Sequence, residues 1–171
     1  MSNQLPKNIA LIGMMGSGKS SVGRRLAGLI GYDFLDIDYI LECQTGYHIQ
    51  ALFALKGEAY FRQLEAEWCQ SELPTLEKTV IATGGGLIVN PHNQTALREY
   101  TTVVWLDVNL SDLKKRLRFD KKRPLSSQLE TLYTDRKPLY SASAHIRFAY
   151  DDAVVDSAHN DLHHQLLIDS E

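Results

Sequence analysis

Few eight-residue patterns leave a chain as little freedom as Gly13-Met14-Met15-Gly16-Ser17-Gly18-Lys19-Ser20 does in its setting, between an apolar run and an amphipathic stretch. The pattern G-x-x-x-x-G-K-[ST] is that of a phosphate-binding loop. Its glycines let the backbone turn so that successive N–H groups point inward at phosphate oxygens, and the helix that follows adds partial positive charge. The flanks agree. Asn8–Ile12 is apolar and runs into glycine, as a buried strand does, and Lys19–Ile30 carries Val22, Leu26, Leu29 and Ile30 as a helical stripe stopped by Gly31. Gly16, Ser17 and Gly18 then supply the cradle, and Lys19 reaches the outer phosphates of a nucleoside triphosphate such as ATP. Ser20 offers a hydroxyl to Mg²⁺, and Ser21 is a further hydroxyl in reach of an inner phosphate.

Downstream, strand-like and helix-like patterns alternate. Phe34–Asp38, Thr79–Thr83, Thr102–Asp107 and Ile146–Ala149 read as strands, and Ala51–Leu73, Asp112–Phe119 and Gln128–Tyr133 as helices, with a polar helix towards the C-terminus. This order predicts an α/β fold in three layers, a parallel sheet of about five strands with helices on both faces. Ligands of such folds gather beyond the carboxyl ends of the strands. There the sequence places Asp36-Ile37-Asp38, and a strand reading sets both carboxylates on one face with their Cα atoms ~6.6 Å apart. One acid can hold a water on Mg²⁺ while the other accepts the proton of an attacking hydroxyl. Glu58, Arg62 and Glu65 fall at i, i+4 and i+7, which by spacing alone is an ion-pair ladder on a helix surface. Gly84-Gly85-Gly86 follows a strand, where missing side chains let backbone N–H groups approach a small polyol.

Charge and length narrow the function further. At 171 residues the chain makes one domain, 1–171. Its 18 Lys and Arg against 21 Asp and Glu give a net charge of −3. Lys114, Lys115, Arg116, Arg118, Lys121, Lys122 and Arg123 nevertheless cluster against a single opposing Asp120. Overall acidity and the lack of interleaved aromatics turn that cluster away from nucleic acid and towards a phosphate clamp. No apolar run approaches the ~20 residues of a membrane span, and the start of the chain has no signal-peptide pattern. Cys43 and Cys69 fit two reduced thiols in a cytoplasmic protein. His159 and His163 have helical i, i+4 spacing but read as a solvated polar face.

Six ordered segments resemble the shikimate kinases, a family with the P-loop fold of nucleoside monophosphate kinases. They are Gly13–Ser21, Asp36–Asp38, Phe53–Glu65, Thr83–Gly86, Lys121–Leu125 and Asp135–Tyr140, spread over more than three quarters of the chain. The resemblance implies Mg²⁺-dependent transfer of a phosphoryl group from ATP to shikimate, by a monomer. It implies that Arg62 and Arg136 grip the substrate carboxylate, that Gly84, Gly85 and Gly86 line the substrate, and that Asp38 receives the reacting hydroxyl. Lys19, Asp38 and Arg123 become the catalytic residues, and Ser20 and Asp36 the metal ligands. A lid over about 119–128 carries Arg123 to the transferring group, while Arg116 stacks on adenine. A gluconate-kinase-like enzyme shares the loop but not both arginines in these contexts, and a noncatalytic nucleotide-binding homologue would not need Lys19, Asp38, Arg62, Arg123 and Arg136 intact. Two segments depart from the family pattern. Arg123 to Arg136 is several residues short, and Phe148-Ala149-Tyr150-Asp151-Asp152 replaces the usual strand ending, so no adenine contact is assigned there.

Overall fold

Every residue of Asn8–Ile12 (β1) is buried, although successive side chains of a strand point to opposite faces. A strand of that kind needs cover on both sides. The computed structural model, which describes residues 4–120 and 128–169, supplies it. With Asp33–Asp36 (β2), Thr79–Ala82 (β3), Thr102–Asp107 (β4) and Ile146–Ala149 (β5), β1 forms a parallel sheet in the order β2-β3-β1-β4-β5. The register pairs Leu11 with both Ala82 and Val104, and Asp36 with Ala82, so the strands finish at one level. Around the sheet run Lys19–Ile30 (α1), Ile37–Thr45 (α2), Ile49–Lys56 (α3), Glu58–Ser71 (α4), Pro91–Tyr100 (α5), Leu110–Leu117 (α6), Leu129–Ser143 (α7) and Ala158–Ile168 (α8). α1 packs on β3 and α8, and α5 packs on α4 and β4. Gly23 lets α1 lie close to the sheet, because a Cβ there would come within 2.9 Å of the Phe34 ring and 3.0 Å of Leu11. Leu11, Leu26, Ile81, Val104 and Leu162 are wholly buried in the core, where each contributes about 1.5–3 kcal/mol relative to an exposed side chain.

Four expectations are corrected. The second strand stops at Asp36, whose carboxylate accepts from the Tyr39 N–H at 3.3 Å and caps α2; an aspartate whose backbone is still extended ends a strand and opens a helix at once. The long helix over Ala51–Leu73 is two helices, broken at Gly57, whose φ of +86° and ψ of 165° no helix admits. α5 was not anticipated, although Asn90 accepts from His92 N–H and Pro91 takes the first helical position, a capping signal written in the sequence. The short helix expected over Gln128–Tyr133 runs on to Ser143, straight through Pro138. Burial of Leu129, Tyr140 and Ser143 holds both ends of α7 down, which offsets the lost backbone hydrogen bond.

Candidate active site

At the end of β1 the chain turns through Gly13–Gly18 into α1. Gly18 is the N-cap in the left-handed region at φ 91°, a conformation glycine adopts freely. Lys19 is 8% exposed, and its Nζ donates to the carbonyls of Gly13 at 2.7 Å and Met14 at 2.8 Å, which lays the ammonium along the loop. Ser20 lies one residue on, and its hydroxyl donates to Asp36 Oδ2 at 2.5 Å. Ser21 is exposed on α1 and donates to the Gly18 carbonyl at 3.4 Å. Ser17 Oγ is buried without a hydrogen-bond partner among the described residues. The loop of the sequence reading is therefore one compact object.

The two aspartates do not share a strand face. Asp36 ends β2 and meets Ser20, while Asp38 sits in the first turn of α2 and lies against Gly84. Its Oδ1 lies 2.7 Å from where a Cβ on Gly84 would stand. Glu65 Oε2 is 3.1 Å from the same point, so Gly84 fits between two carboxyl groups. Arg62 on α4 donates from Nη1 to Glu65 Oε1 at 2.5 Å and from Nη2 to Glu58 Oε1 at 3.2 Å. A side chain on Gly86 would collide with that guanidinium. Gly85 has Arg136 Nη1 3.5 Å and the Met15 backbone nitrogen 3.4 Å from its own Cβ position. The Tyr140 hydroxyl, one turn of α7 beyond Arg136, donates to the Gly85 carbonyl at 2.6 Å. The glycine turn thus touches Asp38, both arginines and the phosphate loop.

Glu65 is the residue that spacing misjudged. It is wholly buried, so the expected surface ladder is a half-buried ion pair at the site. Burial pushes its carboxyl up to about 7, with the Asp38 carboxylate adding to the push and the guanidinium groups of Arg62 and Arg136 pulling the other way. Its Oε2 has no hydrogen-bond partner among the described residues. Burial likewise pushes the Tyr140 phenol up to about 12 and keeps it a donor. Phe61 is buried and packs on Phe53 with ring centroids 5.1 Å apart, beneath the Arg62 guanidinium.

On the other flank, Arg116 Nη1 donates to the Gly16 carbonyl at 3.0 Å and Nε to Asp152 at 2.8 Å, and the guanidinium stacks 5.2 Å over the Tyr150 ring. Arg116 therefore stands beside the phosphate loop. Arg123, and all of the expected lid over 119–128 except Phe119, Asp120 and Gln128, lie outside the described residues. Among the described residues no helix is long and apolar enough to cross a membrane.

A parallel α/β sheet with a phosphate loop at its carboxyl edge, beside a cluster of acids and arginines around a glycine turn, is the architecture of a P-loop phosphotransferase. The family model described as SKI: Shikimate kinase matches residues 15–166, and the chain belongs to the shikimate kinase family. A shikimate kinase of Nitrosomonas europaea is 43% identical over 151 residues, covering 85% of this chain and 71% of that protein. The solved shikimate kinase of Acinetobacter baumannii, in complex with shikimate, superposes with a TM-score of 0.83 at 36% identity over 94% of this chain and 93% of that one. A gluconokinase of Sinorhizobium meliloti has a TM-score of 0.53 at 20% identity over 98% and 99% of the two chains, a likeness of fold alone.

Proposed function

We propose that this chain transfers the terminal phosphoryl group of ATP to the 3-hydroxyl of shikimate, giving shikimate 3-phosphate and ADP, a step of chorismate and aromatic amino-acid biosynthesis. The observation that carries the reading is the glycine turn, which has Asp38, Arg62, Arg136 and the phosphate loop all against it. A ring-shaped acid held there has its carboxylate at the arginines and a hydroxyl between Asp38 and the loop. Arg62 and Arg136 suit the carboxylate because a guanidinium fork meets it with two parallel charge-assisted hydrogen bonds. Asp38 orients the hydroxyl and accepts its proton, so the oxygen bonds to the terminal phosphorus while the bond from that phosphorus to the bridging oxygen breaks and its electron pair leaves on ADP. Charge spreads over the equatorial oxygens of the group in transit, and Lys19 stabilises it from the loop, with the backbone of Gly16, Ser17 and Gly18 and the hydroxyl of Ser21 holding the remaining phosphates. Arg123 is the second cation in this reading, and Arg116 carries the base.

The Ser20 hydroxyl and the Asp36 carboxylate, 2.5 Å apart at the mouth of the loop, are the hard oxygen donors that Mg²⁺ prefers. Ser20 would hold the ion directly and Asp36 through water. When bound, it neutralises charge on the outer phosphates. The same reading makes the protein a cytoplasmic monomer working as one domain over 1–171, with sedimentation velocity as the check on its size. Coupled ADP release, measured with shikimate, gluconate or no acceptor and with or without Mg²⁺, tests the activity. Release should require both shikimate and Mg²⁺; release driven equally by gluconate would sink the substrate assignment.

A further inference from the structure

β5 alternates buried and exposed residues, with Ile146 and Phe148 inward and Arg147 and Ala149 outward. The next residue, Tyr150, keeps that phase and is 7% exposed, and its N–H donates to the Asp107 carbonyl at 3.3 Å, so it continues the strand pairing. Its ring packs on Phe148 with centroids 5.7 Å apart, and its hydroxyl donates to the carbonyl of Ser17. A Cβ on Gly18 would collide with that hydroxyl oxygen. The contact joins positions 133 residues apart, and nothing in the loop pattern calls for it.

We propose that Tyr150 is a positioning residue of the nucleotide site, holding the Ser17–Gly18 peptide from behind so that the Gly18 N–H faces the phosphates. In a planar trans peptide the C=O and N–H point in opposite directions. A donor that anchors the Ser17 carbonyl therefore sets where the Gly18 N–H points. Gly18 is left-handed and has no side chain, so its own steric preferences do little to hold that plane. The anchor comes instead from the residue that follows β5 and extends its pairing to Asp107 of β4. Burial pushes the Tyr150 phenol above its ordinary value, so it remains a donor across the working pH range. Arg116 complements it, bonding the neighbouring Gly16 carbonyl while stacking on the Tyr150 ring. Tyr150 touches no phosphate itself; it acts through the peptide.

The proposal rests on the nucleotide reading of the loop, and the test separates the two. Tyr150→Phe removes the hydroxyl, and with it the bond to Ser17 and a longer one accepted from Arg116 Nη1 at 3.3 Å, and keeps the ring under Arg116. The dissociation constants of MgADP and of inorganic tripolyphosphate should both rise about five- to tenfold, the size of the lost bond to Ser17, since Arg116 keeps its bonds to Gly16 and Asp152. KM for ATP should rise with them, while KM for shikimate and kcat at saturating ATP stay within about twofold. Phe148→Leu is the control for packing in the same strand; it should lower the thermal midpoint and leave MgADP binding unchanged. Unaltered tripolyphosphate binding in Tyr150→Phe would overturn the proposal while leaving the nucleotide reading standing. So would an equal loss of MgADP affinity in Phe148→Leu, which would make the effect one of general loosening. A wild-type protein that binds neither ligand would overturn the nucleotide reading and the proposal together.

Discussion

In the proposed reading the nucleotide side of the site is built mainly from one unbroken stretch, Gly13–Ser21, with Arg116 beside it, whereas the acceptor side draws Asp38 from α2, Arg62 and Glu65 from α4, three glycines from the turn after β3 and Arg136 from α7. The first side would meet its ligand largely with backbone, whose geometry is local. The second would meet its ligand with charged side chains, which must be brought out of water and held against one another. That costs desolvation, and the rise of the Glu65 carboxyl to about 7 is its visible trace. One side is consequently vulnerable to changes in a single stretch, the other to any of four elements.

Changes on either side should therefore affect different ligands, and the largest effect belongs to the loop. Lys19→Met keeps the buried stem but removes the cation, so kcat should fall about 10³-fold, as when a preorganised donor to a transition state is lost. Circular dichroism should show an intact fold. Turnover near that of the wild type would break the division between the two sides at its strongest point.

Arg62→Ala comes next and should act only on the acceptor side. Losing one member of a desolvated charge pair costs about 2–5 kcal/mol. The Arg62 side chain is 26% exposed, so the lower end applies and shikimate affinity should drop about 30- to 150-fold. The MgADP dissociation constant, measured calorimetrically, should stay within about twofold. Shikimate methyl ester sharpens the assignment, because its penalty against the acid should shrink in this variant. An ester-to-acid ratio of kcat/KM identical in both proteins would remove Arg62 from carboxylate recognition.

A smaller effect comes from adding one methyl group. Gly86→Ala drives a Cβ into an Arg62 guanidinium that is pinned by Glu58 and Glu65. Overpacking of this kind costs about 1–3 kcal/mol, so KM for shikimate should rise about tenfold with ATP parameters unchanged. A normal KM for shikimate would mean that the guanidinium swings aside freely.

The smallest effect is one of pH on stability. The folded-state value of Glu65, about 7, lies above its ordinary 4.5. Below 4.5 the carboxyl is protonated whether the chain is folded or not. Between 4.5 and 7 the unfolded chain has released the proton and the folded chain keeps it, so this group's contribution to stability falls as pH rises through that window. Glu65→Gln cannot ionise and escapes the loss. Its thermal midpoint should gain on the wild type by about 3–8 °C between pH 5 and pH 8, equivalent to about 1–2.5 kcal/mol. A constant difference across that range would show that Glu65 ionises normally in the fold.

How readable each part was follows from how local its causes are. β1, α1 and β5 have the limits their patterns predict, because each is a single run with one periodicity and, for α1, a glycine at each end. The break at Gly57 went unread because the apolar stripe continues across it, and a stripe says nothing about φ at one residue. Asp36 was placed in a strand with Asp38 because an alternating pattern and a helix N-cap look alike over three residues. Arg62 and Glu65 were paired correctly by spacing, yet i, i+3 spacing is the same for an exposed ladder and for a pair buried at a site. Tyr150 carried only the phase of its strand as a signal, and phase does not reveal which loop lies opposite.

Contiguity draws the line. The phosphate loop, its lysine, the helix behind it and the parallel α/β architecture follow from the order of residues, since backbone turns and periodicities are settled within a few positions of the chain. The buried environment of Glu65, the separate neighbours of Asp36 and Asp38, the seat of the glycine turn among two acids and two arginines, and the grip of Tyr150 on Ser17 arise from packing. Each joins groups from separate elements, and whether a charge lies in water or beneath a helix depends on what the rest of the chain places above it.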